Sequence, residues 1–171
     1  MAGGPITRHL TADHRRVEAL LDAAVRSEPL DLARYDEFRD GLLRHIGIEE
    51  KILLPAARAA RGAALEIAAR LRLDHGALAA LLVPTPTPSV VATLRHILHR
   101  HNPLEEGADG LYPTCDRLLA DAAAALVAQM EAYPRVRSSP HNDSSDVMPA
   151  VARALERAGY RLLQPRPDTA P

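Results

Sequence analysis

An all-α fold, a helical bundle with a C-terminal helical appendage, is predicted by three observations. Apolar residues recur at spacings of three and four through most of the 171-residue chain, the period of helices that bury one stripe. No alternating apolar run bounded by turn residues stands out, so strands have no sequence signal. The chain also has one Phe and no Trp, which leaves Leu, Ile, Val and Ala to fill the core, as they do between packed helices.

Four helical segments follow in order. The first spans about Ile6 to Arg26, with Leu10, His14, Val17, Leu21 and Ala24 on one stripe. SEPLD ends it, and Asp31 has the side chain of an N-cap for the next. A second segment, about Leu32 to Ala59, aligns Phe38, Leu42, His45, Glu49 and Leu53 before Gly62 breaks it. Ala68, Leu71, His75, Leu78 and Leu82 line the third, about Ala63 to Val83, which stops at PTPTP because prolines supply no backbone donors. Ser89 opens the fourth, with Leu94, Ile97, Leu98 and His101 inside. Irregular backbone is expected from Asn102 to Gly110, since Pro103 deletes a helical hydrogen bond and biases Asn102 away from the helix. Residues from about Leu111 to Ala132 read as the helix resuming.

This organisation places the bundle at residues 1–132, a linker rich in Pro, Ser, Asn and Asp at 133–147, and an amphipathic helix with a frayed tail at 148–171. A domain of about 130 residues buries roughly two-thirds of its unfolded surface, enough for a true core. The formal net charge of −1 offers no field to draw nucleic acid or an anionic membrane, and both partners are set aside. Without a long apolar run or a secretory leader, the expected compartment is the cytosol. A single cysteine, Cys115, excludes an internal disulfide framework and a multi-cysteine zinc site.

The chemistry lies in polar residues that fall on the apolar stripes. His45 and Glu49 are four apart, so on a helix they differ by about 40° in direction and about 6 Å in rise and can share one ligand. The stretch HIGIEEKILLP (45–55) has a near copy in HNPLEEGADGLYP (101–113), where His101 and Glu105 repeat the spacing. His14 and His75 each add one inward imidazole. Buried carboxylates and imidazoles are costly unless partnered, and two cations bridged by Glu49 and Glu105 would satisfy all six groups. Imidazole with carboxylate, and no thiolate, suits iron first, then manganese or zinc. Glu106 is the alternative to Glu105, because Pro103 perturbs the local helix. Glu18, on the face of His14, reads as an edge-of-core carboxylate paired with an Arg, and His96, His99, His9 and His141 read as solvated.

These residues resemble the hemerythrin-like family, the HHE cation-binding domain: His14 in DHRRVEALL, the two HxxxE stretches, and His75 in LDHGALAALL, across roughly residues 6 to 131. The resemblance implies an up-down four-helix bundle with a non-haem diiron centre. It also implies a function in binding or sensing oxygen, nitric oxide or iron. Where the oxygen-carrying members have a second histidine on the third helix this chain has Leu71, and its last carboxylate follows its histidine by four residues rather than five. Both features are nearer to the sensor and repair branches. The leading expectation is therefore a diiron protein that binds, senses or handles a small diatomic ligand or iron, with His14 and His45 on one ion and His75 and His101 on the other. Two alternatives stand beside it. One is a diiron oxidoreductase reducing nitric oxide, peroxide or oxygen with a redox partner protein, or an iron donor for repair of iron centres. The other is a metal-free helical interaction module. No catalytic residue is assigned.

Overall fold

The computed structural model describes residues 3–164, all of whose regular structure is helical. Helix α1 runs Pro5–Val25 and α2 runs Leu32–Ile48; a π-helical turn, Glu49–Leu53, joins α2 to α3, Leu54–Arg61. Then come α4, Ala68–Leu81; α5, Pro88–Glu106; α6, Leu111–Leu118; a 3₁₀ turn, Ala120–Ala122; α7, Ala123–Glu131; and α8, Val147–Arg157. These divide into two compact units. One comprises residues up to Ala68 with Asn102–Ser138, and the other Ala69–His101 with the described residues from Ser139 on.

In the first unit α1 packs on α2, α6 and α7. Its buried stripe is Ile6, Leu10, His14, Val17, Leu21 and Ala24. Asp116 of α6 ties the start of α1 down: its carboxylate accepts from the backbone N–H of Ile6 at 2.9 Å and of Thr7 at 3.0 Å, and from the Thr7 hydroxyl at 2.6 Å. Gly4 stands at that N-cap because a Cβ there would overlap the Asp116 carboxylate. Asp31 caps α2 as its side chain suggested, accepting from the backbone N–H of Arg34. The C-terminal carbonyls of α7 are satisfied by Arg44, whose guanidinium reaches the backbone oxygens of Met130 and Tyr133 at 2.9 Å each. Tyr133 in turn lies so close to α2 that a Cβ at Gly47 would come within 2.8 Å of its hydroxyl.

The second unit holds α4, α5 as far as His101, and the segment that carries α8. That segment is pinned at several points. Asn142 donates its backbone N–H to Val83, Thr85 binds the Asp143 carboxylate through both backbone and hydroxyl, and Leu163 donates to the Thr93 hydroxyl. Val147, Val151, Ala154 and Leu155 form the buried face of α8. The amphipathic segment therefore docks within its own chain. Positions 165–171 of the expected tail lie outside the described residues.

Four local expectations are corrected. The third helix begins at Ala68 rather than Ala63, after Gly62 ends α3 in the left-handed conformation with φ 77°. The fourth helix continues through Asn102 and Pro103 to Glu106, and the irregular turn is confined to residues 107–110. Pro103 lies on the exposed side, where water can replace the lost hydrogen bond. Asn102 is held instead by its side chain, which donates to Glu18 Oε1 at 2.9 Å. The Glu18 carboxylate thus binds an amide rather than the expected Arg. Finally, the resumed helix is two pieces, α6 and α7, divided at Leu119, whose backbone leaves the helical region at φ −115°, ψ 23°.

Candidate metal centre

Helix α1 presents His14, α2 presents His45, the π-helical turn begins at Glu49, and the end of α5 presents Glu105. All four are buried, both carboxylates completely. One ligand atom from each lies within 4.8 Å of the others. The backbone explains the aim of Glu49. Pro55 supplies no N–H, and the turn before it widens so that the Leu54 N–H reaches back to the Glu49 carbonyl. The N–H of Glu49 itself still bonds the carbonyls of His45 and Ile46. His45 and Glu49 therefore keep the one-turn relation, with Nε2 and Oε1 3.4 Å apart.

Carboxylates behind the imidazoles fix which nitrogen faces the cluster. Asp13 Oδ2 lies 2.9 Å from His45 Nδ1, and Glu106 Oε1 lies 2.6 Å from His14 Nδ1. Each leaves its histidine's Nε2 turned toward Glu49 or Glu105; His14 Nε2 is 3.2 Å from Glu105 Oε2. Burial disfavours charge on both rings, but neighbouring carboxylates outweigh it. Glu105 and Glu106 hold His14 above the ordinary imidazole range, and Glu49 with Asp13 holds His45 up to about 10. Burial likewise raises the Asp13 carboxyl, but hydrogen bonds from His45 and Arg16 prevail and keep it well below the usual range. The pocket thus favours positive charge, the property that attracts a cation to anionic and neutral donors.

A tyrosine completes the cluster. Tyr112, fully buried at the start of α6, donates its hydroxyl to Glu49 Oε1 at 2.6 Å. The same oxygen lies 3.1 Å from Glu105 Oε2, 3.0 Å from His14 Nε2 and 3.3 Å from His45 Nε2. Its position depends on Gly110, since a Cβ there would press on the Glu105 carbonyl at 2.6 Å. Cys115, one turn further along α6, takes no part. Burial and the nearby Asp116 and Glu49 push its thiol up to about 12, so it is neither a thiolate ligand nor a nucleophile at neutral pH.

In the second unit His75 and His101, both buried, bring their rings to 5.0 Å between centroids. Asp74, completely buried, places Oδ2 3.3 Å from His101 Nδ1. His96 and His99 are exposed, as expected of histidines off the stripe; His96 meets the Tyr160 ring edge-on.

Of the six residues singled out in the sequence, His14, His45, Glu49 and Glu105 come together in the first unit, and His75 and His101 in the second. Glu106 is not the second carboxylate of the cluster but the support of His14. Asp13, Asp74 and Tyr112 went unnoticed in the sequence. Each carboxylate that supports an imidazole stands beside a site residue: Asp13 before His14, Asp74 before His75, Glu106 after Glu105. Each of them reaches a histidine on a different helix.

A family model, the hemerythrin HHE cation-binding domain, matches residues 6–115. The chain belongs to this family. No curated protein and no solved structure matches it. The HHE match ends within α6, so it includes Tyr112 and all six candidate ligands but neither α7 nor α8. The donor set fits the cation-binding property that the family name states. Two imidazoles and two carboxylates converge from four helical elements, buried and without thiolate, a combination suited to a first-row metal ion.

Proposed function

We propose that this hemerythrin HHE domain is a non-haem diiron protein that binds, senses or handles a small ligand, dioxygen or nitric oxide, or iron itself. In this reading α1, α2, α4 and α5 are the four rods of an up-down bundle in residues 1–132, and the segment carrying α8 is its appendage. His14 and His45 hold one iron, His75 and His101 the other, and Glu49 and Glu105 bridge them. The observation that carries the reading is the convergence of His14, His45, Glu49 and Glu105 in a buried cluster, each histidine supported from behind by a carboxylate. Ligation by residues on several helices occurs only in the folded chain, so the cations stabilise it. Support for the second ion comes from the repeated HxxxE spacing, which sets His101 one turn from Glu105 along α5, and from the paired rings of His75 and His101.

When bound, a redox-active iron pair with incomplete coordination supplies positions for a diatomic ligand and electrons to reduce it. The residues of the chain orient the donors and keep bulk water out. Metal analysis and Mössbauer spectra of protein from iron-supplemented cells test this directly. About two irons per chain in one coupled pair is the expected result, and a metal-free or mononuclear protein would sink the diiron reading. Stopped-flow mixing of the reduced protein with excess nitric oxide, peroxide or oxygen then separates a binding protein, which reacts once, from an oxidoreductase, which turns over with a supplied reductant.

A further inference from the structure

We propose that Tyr112 is itself a metal ligand, its phenolate oxygen coordinating the ion held by His14 and His45. This rests on the cation-binding reading above and adds a donor to it. The hydroxyl lies 2.6 to 3.3 Å from a side-chain nitrogen or oxygen of each of the four residues of the cluster. Imidazole nitrogens and carboxylate oxygens bind a transition-metal ion of this size at about 2.0–2.2 Å. An ion that satisfies His14, His45, Glu49 and Glu105 must therefore take much of the space the hydroxyl fills. The oxygen has two choices, to withdraw by about one bond length and remain in contact with the ion, or to leave.

Leaving is obstructed. Tyr112 is 0 % exposed, and its ring packs against His14 at 5.5 Å between centroids. Its backbone is set by α6, which Asp116 anchors to α1 and Gly110 presses against Glu105. A short withdrawal along the ring axis suffices to keep the oxygen within bonding distance, whereas a rotamer change would drive a bulky ring through a filled core. On coordination the O–H bond breaks as the metal–oxygen bond forms, and the proton passes to solvent; no electron is transferred. The phenolate then replaces one hydrogen bond to Glu49 by a bond to the cation, which suits a ferric ion better than a ferrous one because the donor is hard and anionic.

The test uses the full-length chain loaded anaerobically with iron(II) and oxidised with stoichiometric ferricyanide. A phenolate bound to iron(III) gives a charge-transfer band in the visible. Resonance Raman excitation in that band enhances tyrosine ring modes, which shift when the protein carries ring-deuterated tyrosine. Wild-type protein should show both, Tyr112→Phe should lose both, and Tyr133→Phe should keep them. The wild-type measurement stands even if Tyr112→Phe folds poorly. Iron bound without isotope-sensitive ring modes overturns the coordination of Tyr112 and leaves the diiron reading intact. Ring modes that persist in Tyr112→Phe overturn it as well, and a wild-type protein that takes up no iron removes both claims together.

Discussion

The two units each contain a chain of the form Arg–Asp–His, and the difference lies in what holds the arginine. In the first, Arg16 Nε binds Asp13 Oδ1 at 2.7 Å and Asp13 Oδ2 meets His45 Nδ1 at 2.9 Å. The Arg16 side chain is about half exposed, 47 %, and Arg70 nearly as much, 42 %, so the two chains differ in what else holds the arginine rather than in its burial. In the second, Arg70 Nη2 binds Asp74 Oδ1 at 2.7 Å and Asp74 Oδ2 lies 3.3 Å from His101 Nδ1. Arg70 is also held by the carbonyl of Ala158 at 2.8 Å and the hydroxyl of Tyr160 at 2.9 Å, with its guanidinium over the Tyr160 ring. The same three-residue device thus orients an imidazole in both places, and in the second its arginine is held by the segment that follows α8. The C-terminal appendage is mechanically continuous with a candidate ligand.

The largest effect that separates the two regions is on metal content. On the diiron reading, in which Glu49 would bridge the ions, Glu49→Ala should lose both irons, whereas His75→Ala should retain the ion of the first unit and fall to about one iron per chain. Both variants should melt below the iron-loaded wild type, since a ligand at 1,000 times its Kd adds about 4 kcal/mol to the folded state. Metal analysis with thermal denaturation reads both quantities. Equal iron loss in the two variants would abolish the distinction between the regions. One step outward, Asp13→Asn and Asp74→Asn keep the shape of the supporting side chain and remove its charge. Each should weaken iron retention against a competing chelator by about 10- to 100-fold, the usual cost of disturbing a partner of a ligating histidine. A larger loss for Asp13→Asn is expected from its shorter contact with the imidazole.

Much of this arrangement was legible in the sequence. Periodicity and Pro/Gly punctuation marked the helical segments, and the coincidence of histidine and glutamate with the apolar stripes singled out six residues that the structure buries, four of them in one cluster of the first unit. Less visible were the groups whose partners lie on other elements. Asp13 and Asp74 look like ordinary polar neighbours of His14 and His75, because a sequence does not say that each reaches across to a different helix. Tyr112 sits in LYP, the counterpart of LLP in the first copy, and reads as an apolar substitution until α6 turns it inward. The continuation of α5 through Pro103 was hidden for the same reason. Local propensity disfavours it, but Asn102 finds Glu18 on α1, a contact 84 residues away in the chain. What single-sequence reasoning lacks here is the long-range partner, and the polar groups beside the ligands depend on it most.

The smallest predicted effects, and the most discriminating for the role of the appendage, come from the two arginines. Arg16→Ala removes an exposed ion pair three residues along a helix, an interaction commonly contributing well under about 1 kcal/mol; Asp13 keeps its bond to His45, and iron affinity should be unchanged within error. Arg70→Ala removes the group that ties Asp74 to Ala158 and Tyr160. Asp74 is completely buried, so its charge loses a partner that water is poorly placed to replace. The carboxylate should then turn toward His101 or wander, and iron retention should fall several-fold, mainly for the second ion. Tyr160→Phe, which keeps the ring beneath the guanidinium and deletes the hydroxyl's hydrogen bonds to Arg70 and Asp74, should give a fraction of that loss. Chelator competition on the three variants orders them Arg70→Ala, Tyr160→Phe, Arg16→Ala. Should Arg16→Ala and Arg70→Ala behave alike, the appendage would be a passive cover, and His101 would owe its orientation to α4 and α5 alone.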